Sequence, residues 1–396
     1  MSRLRSGAGL LAVCVLVAAW LVGSTALAVL GIGLGLAALL GWAWKSLVLR
    51  SLAIERRPLD ATPVEGEPLR VEAVLRGRRW LASGLEWRDR LGALGDYVVQ
   101  VGPEGVASLV VGRVPRGRYA LGPGQLVAHD PFGLVRATIE LDARASILVR
   151  PRVPELDTLF TDSGGWGEGG RQLRIRRASG LEPHGVREYV EGEPLRAVHW
   201  PTSARRGELM VRDLEDAPRD SVAVVLDVDA AGAAGPAGDS SLDDAVRAAA
   251  GITRAHAARS RRALLVIGAP TPGVHRIRSL GRDWEDALDA LAAVEPARAT
   301  PLRDLVSPRG VFGTVPELVV VTARPEIVID ALIARAAVGR SSALVAIDAP
   351  TYAGRGPATT SPSLLRLTGA GVPLAVLRRG ASLPDTLGSL RARAVG

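Results

Sequence analysis

Residues 222–228, VAVVLDV, decide the fold of the C-terminal half of this chain. The run is apolar except for its one aspartate, which is typical of a parallel strand that is buried on both faces. A helix is predicted to follow over residues 240–259, because a serine at 240 or 241 can cap it and two aspartates fall in its first turn. This order of a buried strand and a capped helix predicts an α/β unit.

The same alternation continues to the C-terminus. Strands are predicted at 263–267, 317–322, 343–347 and 372–377, and helices at 284–294, 326–337 and 383–394. Alternating strands and helices form a mostly parallel sheet with helices on both faces. We therefore predict a doubly wound α/β domain over residues 217–396.

The predicted sheet has two acidic residues where such sheets bind ligands, beyond the carboxyl ends of the strands. The first strand ends near Asp227, and Asp229 follows, so two carboxylates are available to a hard cation. The sequence has no glycine-rich phosphate loop. His256 and His275 are isolated in the sequence, and we expect them to be solvent-facing or structural.

The N-terminal segment, residues 1–50, is predicted to anchor the chain in the cell membrane. No charged residue occurs from Ala8 to Trp44, which is too long for one span, since about 20 residues cross a bilayer. We predict a hairpin of two transmembrane helices, over 8–22 and 25–47. Basic residues flank both ends of the hairpin, which predicts that both ends and the soluble domains are cytoplasmic. One long tilted helix, with the soluble part outside, is the alternative.

Residues 51–150 change to short runs separated by Gly, Pro and Asp. Over residues 69–76 apolar and polar side chains alternate, as they do in a half-buried strand. Several such runs with turns between them predict a small β-sandwich domain. Its predicted faces carry no cluster of catalytic residue types, so we expect this domain to support the fold or bind a partner.

The composition excludes several classes of protein. The 396 residues are 47% hydrophobic, which is enough for folded domains with real cores and excludes a disordered chain. The net charge of +8 is spread along the chain among acidic residues, and it does not outline a nucleic-acid-binding face. Cys14 is the one cysteine, so an intramolecular disulfide and a cysteine-based metal site are excluded.

The segment 185–212, GVREYVEGEPLRAVHWPTSARRGELMVR, has the most distinctive side chains and the pattern of neither helix nor strand. Its candidate functional residues are Arg187, Glu188, Tyr189, Gly192, Arg196, Trp200, Ser203 and Arg205. Two interpretations stay open: the arginines brace an irregular junction through acidic neighbours, or they form with Trp200 a docking surface for a partner. A third is hydrolysis by His199 with Ser203 and Glu188, which their spacing does not favour.

These motifs resemble those of one family of membrane proteins, the domain of unknown function fifty-eight, whose members are often encoded beside MoxR-type AAA+ ATPases. The motifs that carry the resemblance are Arg187-Glu188-Tyr189, Gly192, Arg196, Trp200, Ser203-Ala204-Arg205, the strand that the family has at Leu209-Met210-Val211-Arg212, and the turn Asp130-Pro131-Phe132-Gly133-Leu134. The resemblance implies a von Willebrand factor A-like domain after a junction segment over 151–216. It implies a MoxR-type ATPase as partner, with transglutaminase-like or other von Willebrand factor A-type membrane proteins as further partners, beside the membrane lipid around the anchor. We therefore expect a non-enzymatic scaffold or adaptor.

The resemblance also implies a metal site, in which an Asp-x-Ser-x-Ser motif and a later Thr and Asp hold the ion. Here the motif positions are Asp227, Asp229 and Ala231, and only the first agrees. The later acid is missing after Thr322, where alanine and arginine follow. Too few oxygen ligands remain for a hard cation. We therefore expect no tightly held magnesium and no other cofactor, and keep a divalent-cation-dependent, adhesion-type binding module as the alternative function.

Overall fold

The computed structural model describes residues 7–58, 62–78, 80, 82, 84–130, 135–141, 145–162, 185–188, 200–213, 222–269, 272–298, 301–307, 310, 312, 315–357 and 362–388. The chain divides into two compact units, Met1–Arg150 and Pro151–Gly396. Each unit has hydrophobic core clusters of its own. The boundary predicted between residues 216 and 217 lies outside the described residues.

Two apolar helices open the N-terminal unit, α1 (Gly7–Val22) and α2 (Thr25–Ser51). Gly23 adopts a φ of 64°, in the left-handed region that lets the chain reverse, and the Ser24 hydroxyl caps α2 by accepting the N–H of Leu27. In the part of the chain that the structure describes, α2 is the one helix long and apolar enough to cross a membrane, and α1 is apolar but shorter.

The two helices pack closely through glycine. A Cβ atom on Gly31 would lie 2.7 Å from Cγ of Leu16, and one on Gly35 would lie 4.0 Å from Cβ of Ala12. Gly33, between them, faces open space. Only a residue without a side chain fits at 31, so the close approach of α1 and α2 depends on that position.

Strands complete the N-terminal unit. They are β1 (Leu52–Pro58), β2 (Pro68–Gly77), β3 (Gly84–Arg90), β4 (Asp96–Gln100), β5 (Val106–Arg113), β6 (Gly117–Leu121), β7 (Gly124–His129), β8 (Arg136–Leu141) and β9 (Ala145–Val149). They form antiparallel sheets in the orders β1-β2-β5, β4-β3-β7-β8 and β6-β9. Alternate side chains of β2 are buried, as the alternation over 69–76 predicted, and they share a core with the fully buried Trp87 of β3.

A buried ion pair ties two of these sheets together. Arg56 on β1 donates to Asp89 on β3, and also to the carbonyl oxygen of Gly122 at 3.0 Å. Burial raises the pKa of Asp89, and the Arg56 guanidinium opposes that shift. A Cβ atom on Gly124 would lie 3.1 Å from Nη2 of Arg56, so glycine at this position leaves room for the pair.

The C-terminal unit alternates strands and helices. Its strands are β10 (Gly185–Glu188), β11 (Met210–Asp213), β12 (Val222–Leu226), β13 (Ala263–Ile267), β14 (Gly273–Ile277), β15 (Glu317–Thr322), β16 (Ser341–Ile347) and β17 (Leu374–Leu377). Its helices are α3 (Trp200–Arg206), α4 (Ser241–Ala258), α5 (Arg282–Ala292), α6 (Leu302–Val306), α7 (Ile329–Ala337), α8 (Ala349–Tyr352), α9 (Pro362–Gly369) and α10 (Leu383–Leu387).

One six-stranded sheet organises this unit, in the order β14-β13-β12-β15-β16-β17. Neighbouring strands are parallel except β13 and β14. Val222, Val224 and Leu226 of β12 share a core with α4 and α5. Ala223 and Val225 share a second core with α6 and α7, on the other face of the sheet. Helices therefore cover both faces, and the predicted α/β character of this unit is confirmed.

Element boundaries differ from the prediction for local reasons. The helix predicted over 326–337 begins at Ile329, because Pro325 first starts a tighter helical turn. Strand β14 was not predicted, because its exposed Val274 and half-buried His275 reverse the usual order of apolar inside and polar outside. Helix α10 ends at Leu387, and the last residues of the helix predicted over 383–394 lie outside the described residues.

Arg335 of α7 is completely buried. Its guanidinium donates to the carbonyl oxygens of Phe312 at 3.1 Å and Val315 at 2.8 Å, and to the hydroxyl of Ser342 at 3.2 Å. Burial lowers the pKa of Arg335 to about 10, so the side chain is still charged at neutral pH. Arg335 thus links the segment that precedes β15 to α7, the helix that follows β15.

Replacing Arg335 by methionine should lower the free energy of unfolding by about 3 kcal/mol, because buried carbonyl groups lose their donors. Urea unfolding of the full chain in detergent, followed by tryptophan fluorescence, measures the loss. Arg366→Met is the matched control, because the Arg366 side chain is 65% exposed in its pair with Asp330. That control should change stability by less than about 0.5 kcal/mol. Equal losses in the two variants would contradict the role given to Arg335.

Candidate functional site

Polar side chains gather at the carboxyl edge of the six-stranded sheet, between β12 and β15. These strands are neighbours, but β12 leads on to β13 on one side and β15 leads on to β16 on the other. The point where connections diverge in this way is where doubly wound sheets bind ligands. Asp227 directly follows β12, and Thr322 is the last residue of β15.

Asp227 links the two strands. The hydroxyl of Thr322 donates to Oδ2 of Asp227 at 2.6 Å and accepts the N–H of Arg324 at 2.9 Å. Oδ1 of Asp227 accepts the N–H of Asp229 at 3.0 Å. Because Asp227 and Thr322 are both buried, these bonds satisfy polar groups that have little access to water.

Asp229 pairs with a guanidinium. Its loop is held in place where the N–H of Ala230 donates to the carbonyl oxygen of Ala297 at 2.9 Å. Oδ1 of Asp229 accepts the N–H of Ala231 at 3.0 Å, and Oδ2 accepts a hydrogen bond from Nη1 of Arg324 at 2.6 Å. About a third of each of the two paired side chains is exposed, 28% for Asp229 and 32% for Arg324. The guanidinium of Arg324, a cation that is part of the chain, thus lies against the carboxylate of Asp229.

These residues do not fit a divalent cation. A hard cation takes six or more oxygen ligands, counting water. Each carboxylate oxygen of Asp227 and Asp229 already accepts a hydrogen bond from the protein, and Ala231 has no side-chain oxygen. Arg324, in the segment where the resemblance implies an acid, supplies the positive charge instead. Among the residues that the structure describes, no group of three or more His, Cys, Asp and Glu side chains is placed to hold a metal ion.

A second polar cluster lies at the start of α4. Ser240 caps this helix in a capping box with Asp243. Asp244 accepts hydrogen bonds from the hydroxyl of Tyr352 at 2.5 Å and from Arg247 at 2.7 Å. Burial, and after it the hydrogen bond to Asp244, raise the pKa of Tyr352, so its hydroxyl stays protonated. The contacts fix α4 against α8, and the sequence did not reveal them because they join distant segments.

His256 and His275 differ in exposure. His256 is buried, its Nδ1 lies 2.9 Å from Nη1 of Arg261, and Arg261 pairs with Glu317 at 2.5 Å. Of the two alternatives, the solvent-facing one is therefore wrong for His256. His275 lies on the edge strand β14, where partial burial lowers its pKa.

The segment 185–212 contains regular structure, although its sequence has the pattern of neither helix nor strand. Strand β11 agrees with the strand that the resemblance implies at 209–212, whereas β10 and α3 were not predicted. Strands β10 and β11 pair antiparallel, which places Arg187 opposite Val211 and Glu188 opposite Met210. Helix α3 lies between these strands in sequence. Each strand has only four residues, and the paired residues lie 22 to 28 positions apart, so no local periodicity shows the pairing.

Ser203 fastens α3 to β11. Its Oγ accepts the N–H of Met210 at 2.8 Å and donates to the carbonyl oxygen of the same residue at 3.3 Å. Ser203 and Met210 are both buried, whereas Trp200 is 61% exposed and Arg205 is exposed. The motif thus combines a buried fastening residue with exposed aromatic and basic side chains. Five other candidates lie outside the described residues, in whole or in their side chains: Arg187, Glu188, Tyr189, Gly192 and Arg196.

Residues 185–303 match the model of a protein family described as Protein of unknown function DUF58. This segment belongs to the DUF58 family. The match begins at β10 and runs through α3 and the Asp227–Asp229 loop, so it includes the motif and the β12 side of the carboxyl-edge cluster. The family predicted from the motif is confirmed over these residues. A comparison with curated proteins gives no match.

Calorimetry checks the assignment of Arg324 as the cation of the carboxyl edge. We expect no saturable heat from Mg²⁺ or Mn²⁺ with the unchanged chain. Arg324→Ser removes the guanidinium and adds an oxygen, so it should permit weak binding, with a Kd on the order of 1 mM. Asp227→Ala in the same background should abolish that binding. Saturable binding by the unchanged chain that Asp227→Ala removes would instead support the divalent-cation-dependent module.

Proposed function

We propose that this chain is a membrane-anchored, non-enzymatic scaffold that binds a cytoplasmic MoxR-type AAA+ ATPase. The observation that carries the proposal is the 61% exposure of Trp200 on α3, inside the segment that belongs to the DUF58 family. The kind of partner comes from the resemblance to that family.

The exposed side chains of α3 are the types that dominate protein interfaces. Tryptophan and arginine are enriched among residues whose truncation costs most binding energy. Arg205 and Arg206 are exposed on the same helix as Trp200, and Leu209 is 40% exposed just beyond it. A surface of this composition suits a partner with an apolar pocket and acidic side chains around it.

The hydrogen bonds that hold α3 in place support docking better than catalysis. A helix of seven residues is marginal by itself, so the bonds from Ser203 to Met210 are what hold it in place. The Ser203 hydroxyl uses its proton and a lone pair on the backbone of Met210 and sits in a buried position. A hydrolytic nucleophile needs a base within reach and an exposed oxygen, so this geometry gives the hydrolase alternative no support.

The anchor in this proposal is a hairpin of two spans with both ends in the cytoplasm. The antiparallel packing of α1 on α2 supports the hairpin. Arg3 and Arg5 precede α1, whereas Lys45 and Arg50 lie at the end of α2, which supports the orientation. The sheet order with its divergence between β12 and β15 supports a von Willebrand factor A-like domain.

Co-purification with a MoxR-type ATPase tests the docking surface. Trp200→Ala and Arg205→Ala should each weaken the complex by about 2 kcal/mol, or roughly 30-fold in affinity. Trp80→Ala is the matched control, since Trp80 is 78% exposed in the N-terminal unit and should leave binding unchanged. Folded Trp200→Ala and Arg205→Ala variants that retain the ATPase as the unchanged chain does would refute the proposed surface.

Topology reporters test the orientation of the anchor. A reporter that is active only outside the cytoplasm, fused after Val149 at the end of the N-terminal unit, should stay silent, and a cytoplasmic reporter at the same point should be active. The opposite pattern would support a single tilted span with the soluble part outside.

A further inference from the structure

The last turns of α2 lie along strand β8 of the N-terminal unit. A Cβ atom on Gly41 would lie only 2.6 Å from Cγ2 of Val135, the residue that precedes β8. Further along both elements, Val48 of α2 and Ala137 of β8 share one hydrophobic core. Helix and strand therefore run side by side, and β8 begins level with Gly41.

Two hydrogen bonds fix the point where β8 begins. The N–H of Asp130 donates to the carbonyl oxygen of Val135 at 3.0 Å, and the N–H of Val135 donates to Oδ1 of Asp130 at 2.7 Å. Asp130 is buried, so its carboxylate serves this backbone group away from the solvent. The exposed Arg136 follows directly, and its place beside the helix is thus fixed from within the sheet.

Helix length places the start of β8 at the edge of the hydrocarbon core of a bilayer. From Gly23, at the tip of the hairpin, to Gly41 the helix rises roughly 27 Å, against a core of about 30 Å. Trp42, which is 64% exposed, is of the type that favours the interface, and the first charge along α2 is Lys45. In the proposed anchor, β8 therefore begins where the phospholipid headgroups begin.

Three elements bring basic side chains to this level. Arg136 of β8 is the register partner of His129 on β7, so the two side chains lie next to each other on one face of the sheet. Lys45 of α2 is half-buried and lies one turn beyond Gly41 on the same side of the helix. The helix and the sheet thus present cations within about 6 Å of a common level along the helix axis.

Three acidic side chains of the same sheet do not neutralise these cations. Glu86 accepts a hydrogen bond from Arg88 at 2.9 Å. Glu140 lies about 13 Å from Arg136 along β8. Glu104 follows β4, which is at the opposite edge of the sheet from β8, three strand spacings or about 14 Å away. The positive charge beside α2 is therefore available to an anion.

We propose that Arg136, His129 and Lys45 form a binding site for the phosphate of an anionic phospholipid, on the side of α2 that contacts β8. The inference rests on the proposed membrane anchor. Arginine binds phosphate through a planar fork of donors and lysine through a compact charge, and basic side chains beside a membrane span attract anionic lipids. A phosphate between Lys45 of the helix and Arg136 of the sheet contacts both, so the lipid links the strands of this unit to the bilayer surface.

Spin-labelled lipids test the site in the full chain, reconstituted in phosphatidylcholine vesicles. Electron paramagnetic resonance measures how much labelled phosphatidylglycerol the protein immobilises, relative to labelled phosphatidylcholine. We expect the unchanged chain to prefer phosphatidylglycerol about threefold, and Arg136→Gln and Lys45→Gln each to lower that preference by about half. Arg50→Gln is the matched control, because Arg50 is exposed and lies on the opposite side of α2 from Gly41, and it should change the preference little.

The lipid preference of a chain that stays with the vesicles after an alkaline carbonate wash decides the proposal. Equal immobilisation of the two lipids, or equal losses in Arg136→Gln and Arg50→Gln, would overturn the site and leave the anchor standing. Loss of the preference in inorganic phosphate, but not in chloride of the same ionic strength, would show a soluble phosphate ligand and overturn the lipid as occupant. Release of the chain by the wash would overturn the anchor, and the site with it.

Discussion

The C-terminal unit depends on the burial of both faces of β12. A strand in the middle of a sheet with helices on either side has no face towards water, and all five of its residues are buried. The first polar group of this segment comes only where the chain leaves the sheet, at Asp227. Because that residue is also buried, its oxygens need donors, and Thr322 and the N–H of Asp229 provide them. The loop geometry of the carboxyl edge thus follows from the apolar strand below it.

The kind of cation at the carboxyl edge of the sheet determines how that edge can bind a ligand. A divalent ion exchanges with the solvent, so a site built on one responds to ion concentration. The guanidinium of Arg324 is part of the chain, and it directs its donors in a plane set by the side chain. Because Arg324 pairs with Asp229, the positive charge at this edge belongs to the chain itself. That agrees with a docking protein better than with a module that needs an ion to bridge it to a ligand.

Local sequence patterns predicted the strands and helices whose bounds depend on neighbouring residues. Strands β13 and β15 have the bounds that their continuous apolar runs predicted, and the cap and acidic first turn of α4 are where the serines and aspartates placed them. The contacts that build the site join segments far apart: Thr322 reaches Asp227 across 95 positions, and Tyr352 reaches Asp244 across 108. The resemblance placed Thr322 in the same implied site as Asp227, but no sequence pattern joins Arg324 to Asp229 or Tyr352 to Asp244. The roles of Arg324 and Tyr352 therefore emerged only from the folded chain.

The tryptophans of this chain differ in burial, and that difference indicates what each one does. Trp87 and Trp284 are buried in the cores of their units, where their large side chains contribute to stability. Trp42, on an exposed face of α2, suits the proposed membrane anchor. Trp200 has neither explanation: it belongs to the C-terminal unit, yet it is 61% exposed while its neighbour Ser203 holds the helix. The sequence identified Trp200 as distinctive but could not decide between a brace and a docking residue, because a tryptophan suits both. Its exposure favours docking, since a brace would bury the ring.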